Sequence, residues 1–394
     1  MTKLHEKFFI VDFTAVQRYF HQYPLIIGIT RFLSDKRIFP TILLPINADR
    51  EDIGNAETEV KFVLDSGYSS RTHKPVRGLL LKFLNFANKT RFSLEIIKRY
   101  LRKKYVASAL LQIDLDNNFQ ITKIIFPTLD PLSLELAQAI SKNRKMINTF
   151  FYFRIIGAET RGPLASQNSL KQLLKLCVSF PDKIKIGIET VGYKDYLIQI
   201  GFSPKLIHWS PWPLLDAPIN LKNSTNNITI GFLGCAKERK GFDNIPKILE
   251  AVKNDKIDFQ VLIQKANFPW ERYFETKKSI ENMMGADCQF LPSDLNIGDL
   301  QRFISKCSVL ILPYDATSYS KNASGILYHA CDSNVPILAS QGVGFDFEIN
   351  QFKLGFTFKA IEEIPQLINR IKNTPFEFTK YNLRRKQAVD EFYV

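Results

Sequence analysis

Two groups of side chains in this 394-residue chain have the types and spacing to bind an anion. The first is GFLGCAKERKGFD, Gly231 to Asp243, where two glycines precede Lys237, Arg239 and Lys240. Gly231 and Gly234 let the backbone approach a ligand closely, and the three cations stand just ahead of a helical pattern. The second is VLILPYDATSYSKNASGILYHACDSNVPILAS, Val309 to Ser340. There Tyr314, Asp315, Tyr319, Lys321, Ser324 and Gly325 collect between an apolar run and the start of a helix. A helix start offers backbone N–H groups and a positive dipole end, so the ligand that suits both groups is anionic, with phosphate the first reading.

Alternating strands and helices must position these groups. In the second motif, Val309 to Leu312 reads as a buried strand, a helix opens near Ser324, and Pro336 to Ala339 reads as another strand. Ile228 to Leu233 is a strand ahead of the first motif, with a helix over Phe242 to Lys253 and a strand over Phe259 to Ile263. Parallel α/β sheets bind ligands outside the carboxyl ends of their strands, so both motifs belong to one edge and can converge on one diphosphate. Upstream, strands are expected at Phe8 to Val11, Thr41 to Leu44, Ile121 to Phe126, Thr149 to Ile155 and Ile184 to Ile188. Helices are expected over Tyr23 to Ser34, Ser133 to Ile140, Ser169 to Ser179 and Tyr193 to Ile200. Residues 208 to 227 hold three prolines and an Asn/Ser/Thr cluster with no sustained period, which marks a linker. The expected organisation is therefore a domain over 1–213, a linker over 214–227, a domain over 228–375, and a basic helical tail over 376–394 that packs back on the first domain.

Composition narrows the class. A hydrophobic content of 45% with 23% charged residues describes a folded protein rather than a disordered one. Five cysteines without a CxxC pair read as reduced thiols, and with no signal peptide or spanning segment evident they imply a cytoplasmic protein. The net charge of +14 is uneven. Residues 71 to 105 carry eleven positive side chains against Glu95 alone, a local balance of +10. Leu and Phe residues interleave with those charges. A basic amphipathic helix of this kind can lie on an anionic membrane, and the same pattern also describes a core-facing helix with a solvated outer face. No nucleic-acid-binding motif accompanies the charge, so nucleic acid is not an expected partner. The five histidines lack metal-ligand spacing, and Asp114-Leu115-Asp116 fits a hairpin turn better than a metal site.

Taken in order, the strand, small-residue turn, basic pair, KGFD and helix, then LILPY, a polar loop, SG, a helix and VPILAS, resemble the donor domain of GT-B glycosyltransferases. Family 4 and its bacterial polysaccharide relatives are the nearest type. The likeness covers most of Ile228 to Asn373, and extends more faintly to the strand ending at Asp12 and to FPTLDPLSLELA, Phe126 to Ala137. It implies two Rossmann-like domains with parallel sheets facing across a cleft. It also implies a metal-independent hexosyltransferase, without a cofactor, that moves a sugar from a nucleotide-diphosphate donor to a glycan or lipid-linked acceptor at the inner membrane face. Lys240 then falls on the lysine that binds the diphosphate. The family's usual arginine falls on Cys235, leaving Lys237 or Arg239 to supply its charge. The two glutamates of the family pattern fall on Lys321 and His329. With Gly234, Tyr314, Tyr319, Ser324 and Gly325, these residues make the expected donor site, and His21, Asp130 and Glu159 are the candidates on the acceptor side. Three other readings stay open: an inactive, glycosyltransferase-like binding protein; a nucleotide-sugar epimerase, which would place carboxylates where this chain offers lysines; and a basic membrane-associated or nucleic-acid-binding protein.

Overall fold

The computed structural model describes residues 6–12, 22–45, 58–63, 106, 109, 113, 121–142, 148–155, 163–214 and 228–394. His21, Glu159, the basic segment 71–105, Asp114 to Asp116 and residues 215–227 lie outside them. The chain divides into two compact units, Met1–Ile155 with Leu164–Ile186, and Ile156–Pro163 with Gly187–Val394.

Two sheets organise the chain, and every strand pair with a defined register is parallel. The first contains β1 (Glu6–Val11), β2 (Thr41–Pro45), β3 (Glu59–Val63), β4 (Ile121–Phe126), β5 (Thr149–Ile155), β6 (Ile184–Ile188) and β7 (Ile207–Trp209), in the spatial order β3-β2-β1-β4-β5-β6-β7. The second contains β8 (Ile228–Phe232), β9 (Phe259–Gln264), β10 (Cys288–Leu291), β11 (Val309–Leu312), β12 (Ile337–Ser340) and β13 (Gly355–Phe358), in the order β10-β9-β8-β11-β12-β13. Both are doubly wound α/β sheets whose strand order reverses once, between β1 and β4 and between β8 and β11. The expected fold class is thus what forms.

Strand β11 shows why these runs become central strands. All four residues of VLIL are buried, as expected for a parallel strand with both faces covered. Val309 and Ile311 pack into one core with Ile230, Ile248 and Leu249. Leu310 and Leu312 pack into the other with Ile326, Leu327 and Ile337. The helix Ile245–Asn254 buries Ile245, Ile248, Leu249 and Val252, one face at helical spacing.

The proline-rich stretch 208–227 is ordered at its start, because β7 and the buried Ser210 and Trp212 take up its first residues. The tail is helical, Phe378–Tyr393, and it groups with the second unit. Its anchor is Arg385, fully buried, which donates to Asp332 Oδ1 at 2.7 Å, to Trp212 O at 3.1 Å and to Pro213 O at 3.2 Å. Asp332 closes the helix Gly325–Asp332, whose other end carries Ser324. The tail therefore fixes the back of the element that presents the second polar cluster.

Candidate functional site

Strands β8 and β11 are neighbours, with Ile230 beside Val309 and Gly231 beside Leu310. Their carboxyl ends flank the point where strand order reverses, the place where doubly wound sheets open a crevice.

The loop after β8 is held in an unusual shape. Gly234 has φ of +105°, and a Cβ there would lie 2.6 Å from Ile326 Cγ1. Cys235 follows at φ of +53°, in the left-handed region that side chains seldom adopt. Gln264, at the end of β9, accounts for this turn. Its Oε1 accepts from both Gly234 N and Cys235 N at 2.7 Å, while its Nε2 donates to Ser293 O at 2.9 Å. From the other side, the Lys240 ammonium donates to Gly234 O. Gln264 escaped the sequence reading. Only its place at the carboxyl end of a strand beside the glycine turn could have flagged it.

The loop after β11 docks onto this one. Gly241, at φ of +72°, lies so close to Pro313 that a Cβ would fall 1.8 Å from Pro313 O. Asp315 N donates to Arg239 O at 3.1 Å, joining the two loops by their backbones. Cations then stand over aromatic faces: Arg239 is 5.6 Å from the Tyr319 ring centre and Lys240 is 5.5 Å from that of Tyr314. The Tyr314 hydroxyl lies 3.4 Å from Ser324 Oγ. Ser324 occupies the N-cap position of the helix Gly325–Asp332 without a side-chain bond to its own helix. Leu327 N donates to Ser324 O at 3.0 Å, which leaves the Gly325 and Ile326 amides at the helix start for a ligand. Asp315 is engaged otherwise. It caps the short helix Ala316–Tyr319, accepting from Thr317 N and Ser318 N at 3.1 Å each and from Ser318 Oγ at 2.6 Å.

Electrostatics follow from this crowding. Burial holds the Lys240 ammonium below the ordinary lysine value, with Arg239 adding to the effect. Burial and the nearby Lys240 do the same to Lys237. Burial pushes the Tyr314 hydroxyl up to about 12, so it is a neutral donor. An arriving anion would relieve the lysines, since an opposite charge nearby favours their charged form.

The structure thus brings Gly234, Lys237, Arg239, Lys240, Tyr314, Tyr319, Ser324 and Gly325 to one edge. Lys321 is on the turn between Tyr319 and Ser324, its Nζ 4.2 Å from the Tyr196 ring centre. His329 is one turn into the helix, 3% exposed, edge-on to Trp212 at 5.9 Å. Burial, with Arg385 nearby, lowers it to about 4, so it is a neutral core imidazole rather than a group facing the loops.

On the first sheet, Asp130 is a helix N-cap. Its Oδ1 accepts from Leu132 N at 2.6 Å and Ser133 N at 3.1 Å, and Asp130 N donates back to Ser133 Oγ at 3.1 Å. That capping box gives Asp130 a structural task at the start of the helix. The buried carboxylate at that switch point is Asp12, which accepts from Thr128 Oγ1 at 3.1 Å. Among the described residues, no group of three or more His, Cys, Asp or Glu side chains could hold a metal ion.

No protein-family model matches the chain, and no curated protein matches it. Solved structures do. Anabaena HepE (Alr3699) in complex with UDP is similar over 98% of this chain and 95% of its own, with 14% identity and a TM-score of 0.62. Sucrose-phosphate synthase from Thermosynechococcus elongatus covers 98% and 95%, with 12% identity and a TM-score of 0.61. The lipopolysaccharide outer core galactosyltransferase WaaB, in its apo form, covers 99% and 96%, with 11% identity and a TM-score of 0.58. At these identities the likeness is one of fold, the GT-B fold of glycosyltransferases.

Proposed function

Starting from a GT-B fold with a cationic cradle at its second switch point, we propose that the chain is a glycosyltransferase using a nucleotide-diphosphate sugar. One observation carries the reading. The Asp315–Arg239 backbone bond closes two loops into a single edge, where Arg239 and Lys240 stand beside the start of the helix Gly325–Asp332. Structures of HepE, which shares this fold, hold UDP and UDP-glucose, which supports a donor of that class.

The chemistry follows from charge. When the bond between the anomeric carbon and the diphosphate oxygen breaks, that oxygen gains negative charge. Groups aimed at it stabilise the transition state more than the ground state. Lys240, Arg239 and the helix amides supply that field from the chain's own atoms, so the reaction we propose needs no metal. The acceptor we propose is a glycan or lipid-linked saccharide of cell-surface polysaccharide or lipopolysaccharide synthesis. The +10 segment over residues 71–105 supports contact with an anionic membrane. No described helix is long and apolar enough to cross a membrane.

A thermal-shift screen against nucleoside diphosphates and their sugars tests the reading. The expected result is a melting temperature that rises with concentration for one diphosphate and its sugar, by mass action. No rise with any of them overturns the reading. Slow hydrolysis of the stabilising donor then marks an enzyme, and its absence together with absent transfer marks a binding protein.

A further inference from the structure

The cations at the second switch point exceed what a sugar diphosphate requires, and this inference rests on the function proposed above. A diphosphate in a nucleotide sugar carries one negative charge per phosphate. Arg239, Lys240 and the start of the helix Gly325–Asp332 meet those charges, with Lys237 alongside. Lys321 is a further cation. It sits on the turn that connects Tyr319 to Ser324, and that turn belongs to the site: Tyr319 lies under Arg239, and its carbonyl accepts from Asn322 N at 3.2 Å and Gly344 N at 2.7 Å.

Two features of Lys321 indicate what it faces. Among the described residues no carboxylate pairs with it, and its ammonium rests on the Tyr196 ring instead. A cation on an aromatic face is held in position while keeping its full charge. Lysine also has three donors and no acceptor, so it serves a ligand group that accepts. Asp315 is the carboxylate on the same loop as Lys321. Both Asp315 oxygens already accept from Thr317 and Ser318, and Glu238, between Lys237 and Arg239 in the sequence, is exposed.

We propose that the transferred sugar is itself anionic, a hexuronate whose carboxylate is bound by Lys321. A charge-assisted hydrogen bond of this kind raises affinity on the order of tenfold or more.

The test is calorimetric titration of the full chain with UDP, UDP-glucose and UDP-glucuronate, and with GDP, GDP-mannose and GDP-mannuronate. The expected result is that, on whichever base binds, the uronate is held roughly tenfold tighter than the neutral sugar. Lys321→Gln should bring the uronate to the level of the neutral sugar and leave the diphosphate unchanged. Lys321→Arg should keep the preference, which shows that the turn stays folded when position 321 is replaced. Equal affinity for the two sugars in the wild type overturns the inference and leaves the diphosphate site standing. So does a Lys321→Gln variant that loses diphosphate and uronate affinity alike, which would assign Lys321 to phosphate. Failure of every diphosphate and every sugar to bind would remove the proposed function as well.

Discussion

The two switch points of this molecule share a topology and differ in charge. Each sheet reverses strand order once, between β1 and β4 and between β8 and β11. At the first, the described side chains are Asp12, Thr128 and Asp130, carboxylates and a hydroxyl. At the second they are Lys237, Arg239 and Lys240 over tyrosines. The fold supplies a crevice in both places, and the residues placed there decide what enters it. Cations and a helix start suit a leaving diphosphate, whereas a buried carboxylate suits hydroxyl groups.

Substitutions that separate the bracing of the second switch point from its chemistry sharpen this contrast. The largest effect is expected from Arg385→Ala. Arg385 ties the tail helix to Trp212, Pro213 and Asp332, and its loss breaks a buried ion pair with Asp332. Chemical denaturation should show a loss of about 3–5 kcal/mol. A loss within error would mean that the tail does not brace the helix Gly325–Asp332.

Next is a pH effect on the same unit. Glu348 is 1% exposed on the helix Asp346–Gln351, and burial pushes its carboxyl up to about 7. A pKa raised on folding contributes stability that is present below the unfolded value and is lost as pH rises through the folded one. Stability should therefore fall as pH rises from about 4.5 to 7, by roughly 3 kcal/mol at most. Melting curves of Glu348→Gln should lack that part of the slope. An identical slope in the variant assigns it to other groups.

Gln264→Leu comes third. It leaves the Gly234 and Cys235 amides without their acceptor, and buried unsatisfied donors cost about 1–3 kcal/mol. Both stability and diphosphate affinity should fall, because the cradle's shape depends on that turn. Unchanged affinity would show that the turn does not shape the cradle.

The smallest effect is expected at the other switch point. Asp130→Ala removes an N-cap, costing about 1 kcal/mol of stability. Donor affinity should be untouched, and a loss there would tie Asp130 to ligand binding.

The sequence made some parts of this arrangement readable and hid others. The bounds of β4, β5, β6 and β11 were legible because each is a compact, largely apolar run, and Pro127 and Pro313 close β4 and β11. Strand β3, EVKFV, was not. It alternates charged and apolar residues and lies beyond a polar stretch. The edge strand β10, CQFL, is short and only partly buried, and the helix Tyr273–Met284 is too polar for its apolar stripe to stand out. The cations and tyrosines of the candidate site announced themselves by type. Gln264 did not, because its role depends on a neighbouring strand that sequence spacing does not bring near. Nor did spacing disclose that Asp130 caps a helix or that His329 is buried beside Trp212, since both depend on tertiary context.

The central claim is that Lys240 and its neighbours hold a donor diphosphate. Calorimetric titration of the nucleoside diphosphate that stabilises the protein, into wild type and Lys240→Ala, tests it most directly. A charge-assisted contact of about 1.5–3 kcal/mol predicts a loss of about ten- to hundredfold in the variant, while its circular dichroism spectrum stays native. Equal affinity in a natively folded Lys240→Ala protein would contradict the account.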